Sequence, residues 1–310
     1  MNYGIPYQGS KSKLLPELCK FFPPATNFYD LFGGGFSVTH AMLKHRSKSF
    51  KHFHFNEIRK GMTKLIQDSV SGKYNYGVFK PKFISREEFF EKKEKDLYIK
   101  LIWSFGNNGK DYLFGKEVEQ EKKSIHNAIV FNQFDSYSKE ILGMDKFLGN
   151  TDIKSRRLFL KNRLIVLKGE RCDLQQLEQL ERLQQLERLE RLERLEPLQQ
   201  QVEQQRLTFY NLDYKKVEIK NDSVIYCDIP YLGTGEYDKN KNFNHKEFYE
   251  WASGLDHPVF ISEYTMPDKR FEKIWSKEVN STMAAIGPTS ARECLFCNSI
   301  AYKKLIGFKK

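Results

Sequence analysis

The chain has 310 residues, of which 51 are Lys or Arg and 40 are Asp or Glu, so its formal net charge is +11. This length is enough for one large domain or two ordinary ones, and the basic balance makes a phosphate backbone a candidate partner without identifying one. The sequence has no run of about 18 apolar residues, which excludes a membrane-spanning helix.

The five cysteines are scattered, and no secretory leader precedes them, which indicates a reducing cytoplasm. Cys294 and Cys297 form a C-x-x-C pair, but no second pair follows at the spacing of a zinc site. Their surroundings read as a buried strand. A structural role is therefore favoured for this pair, and no metal is expected.

The first 70 residues alternate short apolar runs with helical patterns, which predicts a parallel α/β sheet. The patterns predict a strand over 27–32, a helix over 37–45 and a strand over 50–55. From residue 72 to residue 170 the sequence becomes lysine-rich with polar loops, which we interpret as an inserted second domain.

Strand patterns return after this insertion, so the sheet is predicted to be split by it. The predicted strands are 207–212, 223–228 and 258–262, with a helix over 246–255.

The end of the chain, 293–298 and 300–306, reads as two adjacent strands that finish the sheet in antiparallel orientation. The resulting prediction is a catalytic domain made of 1–71 and 207–310 around an inserted domain at 72–170.

Between the two halves lies a low-complexity tract, 171–206, in which leucine recurs at every third position from Leu174 to Leu198. On an α-helix of 3.6 residues per turn, a step of three falls short of a full turn, so the leucines wind around the rod and no coiled-coil seam is supported. Helix propensity is high, and Pro197 is a stop or kink. We interpret the tract as an exposed helical insertion that catalysis tolerates; a partner-binding helix is the alternative.

The tetrapeptide Asp228-Ile229-Pro230-Tyr231 follows the apolar run 223–227, where a buried strand ends and ligands of open α/β sheets collect. A purine amino group is a poor nucleophile because its lone pair is delocalised into the ring. The Asp228 carboxylate and the Ile229 carbonyl would each accept one amino hydrogen and turn the lone pair toward an electrophilic methyl group. Pro230 would stiffen the turn, and Tyr231 would stack on an extruded base. A strand-to-turn segment with a packing aromatic is the alternative.

A glycine loop, Asp30-Leu31-Phe32-Gly33-Gly34-Gly35-Phe36-Ser37, also runs from a strand into a helix. Its glycines let a nucleotide-like ligand approach the backbone closely, although a plain tight turn is the alternative. Val38 occupies the place of the third glycine of G-x-G-x-x-G, so a dinucleotide site is disfavoured. Glu57 follows the next strand, the usual place of a carboxylate that binds ribose hydroxyls, although it could also serve a helix dipole.

These residues, in this order, resemble the Dam-type family of N6-adenine-specific DNA methyltransferases, in which a glycine loop precedes the recognition domain and a D-P-P-Y motif follows it. The resemblance covers nearly the whole chain apart from the leucine tract. It implies a Rossmann-like sheet that binds S-adenosylmethionine. The opening segment resembles the family's aromatic-x-Gly-x-Lys entry, which implies that Tyr7, Gly9 and Lys11 contact the cofactor.

The same resemblance implies further cofactor contacts. Glu57 corresponds to the ribose-binding acid, and Asp213-Tyr214 resembles the acid-aromatic pair that frames the cofactor adenine. The residues that resemble the family's F-x-G-x-G loop are Asp30, Phe32, Gly33, Gly34 and Gly35.

Two positions depart from the family pattern. Ile229 replaces the first proline of D-P-P-Y, which keeps the backbone carbonyl but loses some rigidity. Phe36 stands where the second glycine of F-x-G-x-G is expected, which could shift the loop.

In the inserted domain, lysines alternate with aromatic residues, a mixture that suits phosphate contact and stacking beside a flipped base. The segment 104–114 resembles the family's target-recognition segment, and a solvated lysine face over an ordinary core is the alternative. The aromatic residues of this set are Tyr98, Trp103, Phe105, Tyr112 and Phe114.

The sequence therefore predicts an α/β methyltransferase sheet with an inserted, mainly helical target-recognition domain. The predicted reaction moves a methyl group from S-adenosylmethionine to the N6 amino group of adenine in double-stranded DNA. We expect a monomer in the cytoplasm of a bacterial or phage-infected cell, and a restriction endonuclease is a candidate companion. The alternatives are a catalytically silent DNA-binding protein, an N4-cytosine methyltransferase, which typically carries Ser at the position of Asp228, and an RNA methyltransferase.

Overall fold

The computed structural model describes residues 3–7, 9, 11–149, 151–170, 183–232, 243–281 and 289–307. The chain divides into two compact units. The first comprises residues 1–4, 10–63 and 200–310, and the second comprises residues 5–9 and 64–199. The limits of the functional domains given above stay a prediction.

One sheet organises the first unit, and its seven strands among the described residues follow the order β3-β2-β1-β4-β5-β7-β6. Neighbouring strands of the sheet pair in parallel, except that β7 runs antiparallel to both β5 and β6. The predicted Rossmann-like α/β sheet is confirmed. The strands are β1 Asn27–Asp30, β2 His52–Asn56, β3 Leu207–Tyr210, β4 Ser223–Cys227, β5 Val259–Glu263, β6 Phe271–Ser281 and β7 Thr289–Asn298.

The helices of the described residues alternate with these strands in the first unit and make up most of the second. They are α1 Leu15–Leu18, α2 Ser37–His45, α3 Met62–Val70, α4 Arg86–Lys92, α5 Leu97–Ile102, α6 Glu119–Phe131, α7 Ser136–Leu142, α8 Ile153–Glu170, α9 Gln184–Glu193, α10 Gln199–Glu203, α11 His245–Ser253 and α12 Ser299–Gly307.

The strands β1, β4 and β5 are buried along their whole length because helices cover both faces of a parallel sheet. This explains why the sequence shows a short apolar run in each of these segments. Aromatic rings fill the space against them: Phe22 lies 5.5 Å from Tyr226 and 5.1 Å from Phe260, measured between ring centroids.

The end of the chain differs from the prediction. Residues 293–298 do lie in β7, but 300–306 belong to α12, and the strand that pairs with β7 is β6. The side chain of Asn298 explains the change, because its Oδ1 accepts a hydrogen bond from the Ala301 amide at 3.0 Å and so caps the start of α12. A local polar cap outweighs the apolar alternation of the residues that follow.

The two cysteines of the C-x-x-C pair are both buried in β7, as predicted for a structural role. Burial raises the pKa of the Cys297 thiol to about 12. Such a thiol stays protonated and is a poor nucleophile or metal ligand. None of the described helices is both long and apolar enough to cross a membrane.

The leucine tract also differs from the expectation of an exposed rod. Leu183, Leu186, Leu189, Leu192 and Leu195 are each at most 1% exposed, and they form the core of the second unit around α9. A period of three places the leucines on several sides of the helix. They can all be buried only if protein surrounds the helix on those sides. Residues 171–182 of the tract lie outside the described residues.

Polar residues of α9 are buried with the leucines and are bonded to neighbouring segments. Arg188 is 8% exposed, and its Nη1 donates to the carbonyl oxygens of Ile102 at 2.7 Å and Ser104 at 2.6 Å. These carbonyls lie at the end of α5, where the helix leaves acceptors without intrahelical donors. The arginine therefore ties α9 to the segment that follows α5.

Candidate active site

The carboxyl ends of β1 and β4 lie side by side in the centre of the sheet, since the two strands pair in parallel with Asp30 opposite Tyr226. The strand order reverses here: β2 and β3 lie beyond β1, and β5 lies beyond β4. Open α/β sheets bind ligands in the crevice at such a switch point. The glycine loop leaves β1 at this place, and Asp228 follows β4, so the fold brings the two predicted motifs to one edge.

At the end of β4, Asp228 lies in a cluster with a lysine, a second carboxylate and a tyrosine. The Lys11 ammonium lies 3.2 Å from Asp228 Oδ1 and 3.3 Å from Glu293 Oε2. The Tyr231 hydroxyl donates to Glu293 Oε2 at 2.6 Å and accepts a hydrogen bond from Lys11. Three distant segments of the chain thus meet at one set of charged groups.

Burial sets the electrostatics of this cluster. It raises the pKa of Asp228 to about 6; the positive charge of Lys11 acts against this rise, and the negative charge of Glu293 adds to it. Burial alone would lower the pKa of Lys11, but the two carboxylates outweigh it and raise the pKa above its usual value. Lys11 therefore stays charged, and Asp228 changes its ionisation just below neutral pH.

The loop that carries Tyr231 is held by neighbouring elements. Glu263, the last residue of β5, accepts hydrogen bonds from the amides of Leu232 at 2.9 Å and Tyr264 at 2.8 Å. The Pro230 carbonyl bonds to His245 Nε2 at 2.8 Å. The Tyr231 ring meets Tyr264 edge-on at 4.5 Å.

Close packing explains the glycine at position 33 of the loop. A Cβ at Gly33 would lie 2.1 Å from the ring of Phe55 on β2, so any side chain would collide with the sheet. The amide of Gly34 donates to Glu57 Oε2 at 2.8 Å, and the amide of Arg59 donates to Glu57 Oε1 at 2.8 Å. The structure thus places the predicted ribose-binding acid directly beside the glycine loop.

Phe36 has a left-handed backbone, with φ of +68°, at the position before α2. Glycine adopts this conformation without strain, whereas a side chain costs about 1–2 kcal/mol. The Phe36 ring is fully buried and packs 5.2 Å from Phe55. The buried ring offsets the strained backbone, which is why phenylalanine is accommodated in place of the family's glycine.

Asp30 is fully buried at the end of β1, and its Oδ2 accepts hydrogen bonds from the Thr39 amide at 3.2 Å and hydroxyl at 2.7 Å. Burial raises its pKa to about 7, and the hydrogen bonds from Thr39 oppose that rise. Its Oδ1 has no hydrogen-bond partner among the described residues. Asp30 therefore anchors the start of α2, and contact of its side chain with a cofactor stays a prediction.

An aromatic shelf adjoins the glycine loop. The Phe32 and Tyr214 rings lie 5.2 Å apart, and Tyr214 is also 4.8 Å from Trp251, measured between centroids. Asp213 precedes this shelf, and its side chain accepts a hydrogen bond from the Lys215 amide at 2.9 Å. Tyr7 and Gly9 belong to the second unit, and their contact with a cofactor stays a prediction.

The sequence predicted that lysines and stacking aromatic residues share the surface of the second unit, and only some of these residues are exposed. Trp103, Tyr112 and Phe114 are at most 7% exposed and pack in the core, so they cannot stack on a base in this arrangement. Lys122 is also buried, at 2%. Phe105, by contrast, is 61% exposed. The aromatic set is thus mainly a core, with Phe105 on its surface.

Sequence reasoning did not assign Glu263 or Glu293 to the site. Glu263 ends a buried strand, as Asp30 does, and this strand-end position was a usable signal. Glu293 lies inside β7 and pairs with Lys277 of β6. Its place in the sequence gives no sign that its side chain reaches Lys11 and Tyr231.

Comparison with protein families adds one finding. Residues 7–142 match the model of a family described as D12 class N6 adenine-specific DNA methyltransferase. The matched range contains the opening segment, the glycine loop and Glu57, and it ends before Asp228. A search of curated proteins found no match.

Proposed function

We propose that this chain is a member of the D12 class N6 adenine-specific DNA methyltransferase family, whose model residues 7–142 match, and that it transfers the methyl group of S-adenosylmethionine to the N6 amino group of adenine at a specific site in duplex DNA. The observation that carries the proposal is the position of Asp228. This ionisable carboxylate lies at the switch point of the sheet, beside the glycine loop.

The residues at this edge fit a cationic nucleotide cofactor. Although the whole chain is basic, carboxylates collect here: Asp30 ends β1, Glu57 follows β2, Asp228 follows β4 and Glu263 ends β5. Such a set favours a positively charged ligand, and S-adenosylmethionine carries a sulfonium and an ammonium group. When bound, it supplies an electrophilic methyl group.

We assign the parts of the cofactor to residues as follows. Glu57 would accept hydrogen bonds from the ribose hydroxyls, and the backbone of 32–35 would let the ligand approach closely. The shelf of Phe32 and Tyr214, with Asp213, would receive the adenine. Tyr7 and Gly9 would act from the opening segment. For Lys11 we propose a role at the catalytic carboxylate, since its ammonium is bonded to Asp228.

In the reaction, the Asp228 carboxylate and the Ile229 carbonyl would accept the two hydrogens of the target amino group and turn its lone pair out of the ring plane. Pro230 would hold this turn, and Tyr231 would stack on the flipped base. The amino nitrogen would take the methyl group as the methyl–sulfur bond of the cofactor breaks, with the neutral thioether as the leaving group. The positively charged nitrogen would then lose one proton, for which Asp228 would be the adjacent acceptor. Lys11 keeps Asp228 ionised for this purpose.

Duplex DNA would be held by the lysines of the second unit, with exposed Phe105 as an aromatic contact. We propose that the protein acts as a monomer. The direct test is transfer of a tritiated methyl group to DNA, followed by sequencing of methylated bases. Label on cytosine, on RNA alone or on no nucleic acid would refute the proposal.

The pKa of Asp228 gives a pH prediction. Because the carboxylate must be ionised to accept hydrogen bonds from the amino group, and because its pKa is raised to about 6, the rate of methyl transfer should fall as the pH falls through about 6. Single-turnover rates between about pH 5 and pH 8, at saturating cofactor and DNA, would measure this. A rate that stays constant over that interval would show that Asp228 is not the titrating acceptor.

A second prediction concerns Gly4, which packs against the glycine loop. A Cβ at Gly4 would lie 2.1 Å from the Gly35 carbonyl oxygen and 2.7 Å from the Ser37 amide, with φ of +65°. Gly4→Ala should therefore displace the loop, lower the free energy of unfolding by about 1–3 kcal/mol and weaken cofactor binding. Calorimetry and thermal unfolding would measure both.

The matched control is Gly149→Ala. Gly149 also has a positive φ, of +70°, but a Cβ added there would meet no other atom within 4 Å. It carries the backbone strain without the collision. Equal effects of the two substitutions on cofactor affinity would contradict the role given to Gly4.

A further inference from the structure

The cluster at the end of β4 contains one carboxylate that the reaction above does not use. Glu293 projects from β7, is 13% exposed, and bonds to both the Lys11 ammonium and the Tyr231 hydroxyl. A buried carboxylate is costly unless it is paired and hydrogen-bonded. Both of its partners here are groups that the proposed reaction needs.

Resting on the proposed function, we infer that Glu293 is a positioning residue: it fixes the Tyr231 ring through its hydroxyl, and it shares the Lys11 ammonium with Asp228 so that an acceptor oxygen of Asp228 is left for the target amino group. Without Glu293, Asp228 is the one carboxylate among the described residues that lies within ion-pair distance of the ammonium. A donor as strong as an ammonium then competes with the target amino group for the same carboxylate.

The hydroxyl contact acts on a different part of the base. The Tyr231 ring has Tyr264 edge-on at 4.5 Å, which limits its movement on one side. The hydrogen bond of 2.6 Å to Glu293 fixes the far end of the same ring. A ring held on one side and at its hydroxyl presents a preformed surface to a flipped base, and preformed sites lose less entropy on binding.

The charge of Glu293 also acts on the ionisation of Asp228. The negative charge of Glu293 raises the pKa of Asp228, and the positive charge of Lys11 lowers it. Removing the Glu293 charge should therefore move the acidic limb of the rate profile to lower pH. The ionisable groups around Asp228 are Lys11, Asp30, Tyr226, Cys227, Tyr231, Glu263 and Glu293.

The experiment compares Glu293→Gln with Glu293→Asp in single-turnover methyl transfer across the pH range. Glu293→Gln should lower the rate roughly tenfold to a hundredfold and shift the acidic limb to lower pH, with cofactor affinity little changed. Glu293→Asp keeps the charge but shortens the reach, so it should lower the rate and leave the limb where it is. Glu278→Gln, an exposed change on β6, is the matched control.

Tyr231→Phe separates the two contacts of Glu293, because it removes the hydroxyl, with its hydrogen bonds to Glu293 and from Lys11, and keeps the ion pair between Lys11 and Glu293. Glu293→Gln should lower the rate less in the Tyr231→Phe background than in the parent enzyme. The inference is overturned if the parent enzyme methylates DNA and Glu293→Gln matches Glu278→Gln in rate and in pH profile, or if Glu293→Asp shifts the limb as Glu293→Gln does. A parent enzyme that transfers no methyl group would instead refute the proposed function.

Discussion

Asp228→Ala should lower the rate of methyl transfer by at least about 10²- to 10³-fold, because it removes the acceptor that activates the amino nitrogen. S-adenosylmethionine binding should persist, since the carboxylate is assigned to the target base. Single-turnover transfer and calorimetric titration of the cofactor would measure the two properties separately. Asp228→Asn should be impaired as well, because its amide adds a donor toward Lys11 and accepts a hydrogen bond less strongly than a carboxylate.

The control for this prediction is Asp256→Ala, an exposed change in the same unit. It should leave the rate unchanged. If Asp228→Ala kept a substantial fraction of the parent rate while the control behaved as expected, another group would have to accept the amino hydrogens. If Asp228→Ala lost cofactor binding together with the rate, the assignment of the carboxylate to the base would be wrong.

Leu189→Ala should lower the free energy of unfolding by about 2–5 kcal/mol, because Leu189 is fully buried in α9 and its removal leaves a cavity in the core of the second unit. Alanine has the higher helix propensity, so the loss comes from packing and not from the helix itself. Urea unfolding followed by circular dichroism would measure the change.

Leu198→Ala is the matched control, since Leu198 continues the same period of three but lies half-exposed after α9. Leu198→Ala should lower the free energy of unfolding by clearly less than Leu189→Ala does. Equal losses at the two positions would contradict a core role for α9. An exposed rod, by contrast, would tolerate both changes.

Deleting one whole triplet within α9 extends the same argument. Every residue beyond the deletion turns by about 60° and moves by about 4.5 Å along the helix. Because the triplets 186–188, 189–191 and 192–194 are identical, the deletion leaves equivalents of Arg188 and Glu190 in place and displaces the residues that follow. Among these is Glu196, which accepts a hydrogen bond from the Asn75 side chain at 2.6 Å. We expect the second unit to lose its fold, in contrast to the tolerance that the sequence alone had indicated.

Much of the first unit was determined by the sequence. Each predicted strand before residue 263 coincides with β1 to β5 to within a few residues, and the helix over 37–45 is α2. The central strands β1, β4 and β5 could be predicted because a parallel sheet buries both of its faces, which leaves short apolar runs with polar residues at the ends. The same rule placed Asp228 and the glycine loop at the carboxyl edge.

Interactions between distant segments were decided only by the tertiary structure. The sequence pattern at 300–306 allowed a strand, and a hydrogen bond from Ala301 to Asn298 selected a helix. The leucine period showed that side chains wind around a helix, but not that protein surrounds that helix. Glu293 reaches Lys11 and Tyr231 only because β7 folds back beside β5. Local periodicity determines which face of an element is apolar. The partners of a charged side chain, or of leucines that spiral around a helix, depend on residues far away in the chain.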